Sequence, residues 1–149
     1  MWVALLLGVL LWQLPVSTAR AAPVVLIMDR GLSFGTCEYT AGSTYVVAAA
    51  EDPGTGACPG ATSARFQVSA DPARRLRITA ANRIDITNGT GTLRVNYTQS
   101  PSGNAACSGA GTLTIYMGGS VTTQSGLSPL GLFSAGDTLT VDYQGAGSC

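Results

Sequence analysis

The chain has 149 residues with eight Arg, no Lys, no His and eight acids, so its formal net charge is zero and charged residues make up only 11%. That balance disfavours a nucleic-acid binder, which needs a basic stripe to displace counterions from phosphates. Without histidine the chain can build no Ser-His-Asp triad, no Cys-His nucleophile pair and no His-ligated metal site, and the expectation is a protein that is not an enzyme and holds no cofactor.

Trp2 to Leu14 is an almost unbroken apolar run, too short to span a bilayer and the size of a signal-peptide core, followed by Pro15 and small residues. Ala19-Arg20-Ala21 offers a cleavage site, with Ser17-Thr18-Ala19 as an earlier choice. Residues 1–21 are therefore expected to be an export leader and 22–149 a single domain. No later segment reaches the ~18 apolar residues of a membrane-spanning helix. The expectation is a secreted protein of the periplasm or cell surface, with no membrane partner once the leader is cut.

After the leader the hydrophobic period is two rather than 3.6 in nearly every ordered-looking segment, which predicts an all-β protein. In Val24 to Met28, the residues Val24, Leu26 and Met28 share one face while Val25 and Ile27 take the other. Short candidate strands follow at Leu32 to Phe34 and Tyr45 to Ala49. Glu51-Asp52 before Pro53-Gly54 reads as a turn rather than a calcium loop or a glycosidase carboxylate pair. Ala64, Phe66, Val68 and Ala70 alternate with Arg65, Gln67 and Ser69, and Leu76, Ile78 and Ala80 repeat the pattern. Arg74, Arg75 and Arg77 with Asp71 read as a solvated edge in preference to an anion-binding patch. Ile84 to Ile86 is a weaker strand before the turn at Asn88-Gly89-Thr90-Gly91; Leu93, Val95 and Tyr97 come after it. Leu113, Ile115 and Met117 form another strand, Gly118-Gly119 reads as a turn or bulge, and Val121 to Thr123 is a weak candidate. Leu139, Val141 and Tyr143 give a final strand. Eight to ten short strands at this spacing predict an antiparallel, two-sheet, immunoglobulin-like β-sandwich.

Cys37, Cys58, Cys107 and Cys149 are an even set in a chain addressed to an oxidising compartment, which makes disulfides the expectation. Three pairings exist; proximity in sequence favours Cys37 with Cys58 and leaves Cys107 to hold Cys149. No two cysteines stand at zinc-site spacing. Tyr39, in the Cys37 loop, and Tyr116, on the polar side of its strand, are candidate platforms for stacking a sugar ring. Their bland alternative is loop packing and cross-strand pairing.

Leu32-Ser33-Phe34-Gly35, Ala64-Arg65-Phe66-Gln67-Val68-Ser69, Met117-Gly118-Gly119 and Leu139-Thr140-Val141-Asp142-Tyr143 occur in that order and together resemble the secreted bacterial family called domain of unknown function 4402. The resemblance covers Leu32 to Tyr143. It implies a pilin-like sandwich with a more remote similarity to chaperone-usher fimbrial subunits and spore coat protein U. The chain departs from the family pattern where Leu127 to Phe133 replaces a Gly-x-Tyr-x-Gly stretch, and in its four cysteines and Gln144 to Cys149 tail. The implied function is a structural subunit of a bacterial surface fibre or coat, whose partners are other subunits or a periplasmic chaperone. In such an assembly Val24, Leu26 and Met28 would lie on a donated strand or on the domain's own first strand, and Leu139, Val141 and Tyr143 beside the open groove. The alternative is a stand-alone secreted binding module, with a glycan as ligand.

Overall fold

The computed structural model describes residues 20–38, 40–52, 58–88, 91–123 and 136–149. Residues 1–19 of the expected leader, Tyr39 and the Leu127 to Phe133 stretch lie outside the described residues. Among those described there are nine strands and no helix: β1 (Val25–Arg30), β2 (Thr44–Val47), β3 (Ala64–Ser69), β4 (Arg74–Thr79), β5 (Arg83–Thr87), β6 (Thr92–Ser100), β7 (Ala105–Cys107), β8 (Thr112–Thr122) and β9 (Thr140–Ser148). Every pairing is antiparallel. The larger sheet runs β1-β3-β8-β6-β5, with β2 also paired to β8, and the smaller runs β7-β4-β9.

The period-two pattern explains how the sheets meet. Ala64, Val68, Ile115 and Met117 project from the larger sheet onto Leu76, Ile78 and Val141 of the smaller, and these seven form the buried cluster between the layers. Cross-strand registers such as Phe66 opposite Ile115 and Ile78 opposite Val141 keep apolar side chains in the same layer. Val47, Val95 and Val121 are also buried, where β2 and β6 flank the far half of β8.

β8 is the spine. Its first half pairs with β3 and its second half with β2, while β6 covers the opposite side. The two segments read separately as Leu113 to Met117 and Val121 to Thr123 are thus one eleven-residue strand. Gly118-Gly119 is not a turn; it lies within that strand. A Cβ on Gly118 would sit 2.1 Å from the Val47 carbonyl oxygen, and one on Gly119 would sit 2.8 Å from the Asn96 carbonyl oxygen. Both glycines are required by close backbone neighbours rather than by chain reversal. Two further expectations are corrected. Leu32 to Phe34 forms only an isolated bridge, Ser33 to Thr62, and the Gln144 tail continues β9 as far as Ser148.

Candidate functional site

Two edge strands carry the predicted site residues, β1 at one edge of the larger sheet and β9 at one edge of the smaller. β1 holds its place through backbone pairing with β3, from Val25 opposite Ser69 to Arg30 opposite Arg65. The Val24 to Met28 run is therefore a strand of its own domain here. Val24 and Leu26 pack against the core, as alternation predicts. Met28 does not: the register shifts between Met28 and Arg30, and Met28 is exposed. A bulge turns the strand locally and releases the side chain that strict alternation would bury. Val25, Ile27 and Met28 together leave an apolar strip on an edge whose outer side no described strand pairs.

β9 carries the other predicted strand. Leu139 precedes it and packs on the core with Tyr143, and Val141 is buried. Tyr143 does more than pack. Its hydroxyl accepts the Asp71 backbone N–H at 2.8 Å and donates to the Ala22 carbonyl oxygen at 2.9 Å. The Arg74 guanidinium lies 5.4 Å from its ring centroid. One tyrosine thus joins the last strand, the turn after β3 and the segment leading into β1, a role that nothing local to β9 signals.

Two disulfides fix the periphery, Cys37 to Cys58 and Cys107 to Cys149, with Cα separations of 5.1 and 6.0 Å. The second ties the end of β7 to the end of the chain, where the Cys149 N–H also donates to the Ala73 carbonyl at 2.9 Å. On a loop-entropy model the loops of 21 and 42 residues are worth about 3 and about 4 kcal/mol.

The outer face of the larger sheet near β1 is polar. Arg65 on β3 lies 3.5 Å from Asp29 and 3.3 Å from Glu51, and Glu51 also accepts the Tyr116 hydroxyl. The Arg30 guanidinium donates to the Ser63 carbonyl at 2.8 Å, and to the Glu51 carbonyl at 3.2 Å. This cluster pins the segment after β2 onto the sheet. The hydrogen bond from Tyr116 holds the Glu51 carboxyl below its ordinary range, helped by Arg65 and Arg30, and the same bond pushes the Tyr116 hydroxyl up. Tyr116 is accordingly a structural partner of Glu51; Tyr39, the other candidate platform, lies outside the described residues. Asp71, Arg74, Arg75 and Arg77 do not converge. Arg77 lies 3.8 Å from Asp142, whereas the Asp71 carboxylate faces the Ala22 N–H.

Among the described residues, no group of three or more potential metal ligands comes together. A cavity of about 150 Å³ beside β6 is lined by Asn82, Tyr97, Gln99 and Asn104 among others, well below the roughly 300 Å³ at which small-molecule sites begin.

A family model described as a domain of unknown function, DUF4402, matches residues 26–143. The chain belongs to the DUF4402 family. The match begins inside β1 and ends at Tyr143, inside β9, so it takes in nearly all of β1 and the first part of β9. No curated protein and no solved structure shows significant similarity to this DUF4402 chain.

Proposed function

We propose that this DUF4402 protein is an exported, non-enzymatic structural subunit of a bacterial surface fibre or coat, which receives a β-strand from a neighbouring subunit along its β1 edge. The observation that carries the reading is the chemistry of that edge: Val25, Ile27 and Met28 are 47%, 56% and 64% exposed on a strand whose outer side no described strand pairs. An edge of this kind offers backbone donors and acceptors for strand addition, with side-chain positions that give specificity. The two disulfides support passage through an oxidising compartment. The partners of such a subunit would be other subunits or a periplasmic chaperone, as a resemblance to chaperone-usher subunits and spore coat protein U implies.

The test is a denaturing gel of native, surface-extracted protein, run with and without boiling. A ladder that survives detergent and collapses on boiling is expected, and Ile27→Lys should abolish it by placing a charge on the receiving edge. Wild-type protein that stays monomeric on the cell surface would overturn the reading.

A further inference from the structure

We infer that Asp71 is the docking site for the α-ammonium group that is released when the chain is cut between Ala21 and Ala22. The Ala22 nitrogen lies 3.3 and 3.2 Å from the two carboxylate oxygens of Asp71. In the uncut chain this nitrogen is an amide with one N–H to share between them. Hydrolysis by a leader peptidase adds one water across the Ala21–Ala22 bond: the carboxylate stays with Ala21, and the new amine on Ala22 takes up a proton. The same atom then carries three N–H donors and a positive charge, already within ion-pair distance of both oxygens.

The receiving side is built in advance. The Asp71 N–H is taken by the Tyr143 hydroxyl, and the Asp71 carbonyl accepts from the fully buried Ser108 hydroxyl at 2.6 Å. Ser108 also accepts the Arg74 N–H, and the Ala73 N–H donates to the Gly109 carbonyl. The turn that carries the carboxylate is thus held from both ends. On the other side, the Ala22 carbonyl is clasped by Tyr143. Residue 22, exposed like Arg20 and Ala21, is held at both its nitrogen and its oxygen. A cut after Ala19 would leave the ammonium on Arg20, two residues short of the carboxylate. Docking selects the later cut as the start of the mature chain and anchors the entrance to β1.

The inference rests on the export part of the reading above and not on assembly. Since the sequence holds no lysine, the α-amine is the only primary amine in the mature protein. The full chain, with its leader, would be expressed in an exporting bacterial host, and the purified product acylated with an N-hydroxysuccinimide ester of acetate. Mass spectrometry reads the first residue and the labelling rate together. We expect Ala22 as the first residue, and acylation two- to fivefold faster in Asp71→Asn than in the wild type, the range set by roughly the strength of an exposed ion pair. Raised salt should accelerate wild-type labelling in the same direction with no substitution at all. A mature chain beginning at Arg20, or rates insensitive to both Asp71→Asn and salt, would overturn the docking while leaving export intact. A product that keeps residues 1–21 would overturn both.

Discussion

β1 and β5, at the two ends of the larger sheet's strand order, have opposite chemistry. β5 presents Arg83, Asp85 and Thr87 to solvent and turns Ile84 and Ile86 inward, and Asp85 is bonded to Arg94 of β6 at 2.9 Å. β1 turns Leu26 inward too, yet ahead of Asp29 its outward positions are Val25 and Ile27, with Met28 exposed beside them. Charges on an edge discourage pairing with another chain, and β5 is protected in that way. The Val25 to Met28 stretch of β1 carries no such charge. The difference is thus a property of a few side chains and not of the architecture, which is why a few substitutions can reverse it.

The largest expected effect comes from removing what both edges hang on. β1 reaches β8 through β3, and β5 reaches it through β6. Gly118→Ala would set a methyl group against the Val47 carbonyl and should cost about 3 kcal/mol or more, because backbone and not a flexible side chain must move. Urea unfolding checks this: a midpoint unchanged from the wild type would mean that β2 does not approach the spine so closely. Next in size is an exchange of character between the two edges. Asp85→Ile gives β5 the outward face of β1 and removes its ion pair; concentration-dependent association should appear on size-exclusion chromatography. Ile27→Lys should remove association at β1, with stability changed by no more than about 0.5 kcal/mol. If both variants associate like the wild type, edge chemistry does not control assembly.

The legible and illegible parts of the sequence divide by range. Ala64-Phe66-Val68 and Leu76-Ile78 could be read because each side chain's own burial writes the alternation, and the all-β sandwich follows from repeating it. β7 could not: Ala105–Cys107 is three small residues that are a strand only because β4 pairs with them. Gly118-Gly119 misleads for a related reason, since adjacent glycines signal a turn locally while the actual demand comes from the backbone of β2 at Gly118 and of β6 at Gly119. Met28 was misplaced by a bulge that period two cannot encode. Tyr143 was legible as part of a final strand, but its grip on Asp71 and Ala22 spans sequence separations of 72 and 121 residues. The cysteine pairing was favoured by proximity alone, which works when closed loops are short.

The smallest predicted effect separates the two sides of the larger sheet by pH. Asp85 on the β5 side lies below its ordinary 3.8 through the Arg94 hydrogen bond, and Glu51 on the β1 side lies below its ordinary 4.5 through Tyr116. A depressed carboxyl contributes stability that is present above its unfolded value and lost as pH falls through the folded one. Both sides therefore weaken in acid, below about pH 4. Of the two bonded carboxylates, only Glu51 on the β1 side has a partner with an alkaline limit within reach. Tyr116 is raised above its ordinary 10.0 by the bond to Glu51, so its contribution is complete below pH 10 and disappears as the phenol ionises in the folded state. The partner on the β5 side is an arginine, whose charge persists. Tyr97 is also raised, by its own burial and then by Asp137, so the informative measurement is a difference. Melting temperatures of the wild type and Tyr116→Phe should differ by about a degree or two at pH 7 and converge as pH rises through the raised Tyr116 value, while Asp85→Asn keeps its offset from the wild type across that range. A Tyr116→Phe offset that persisted at high pH would mean that what the hydroxyl contributes does not depend on its donating a proton to Glu51.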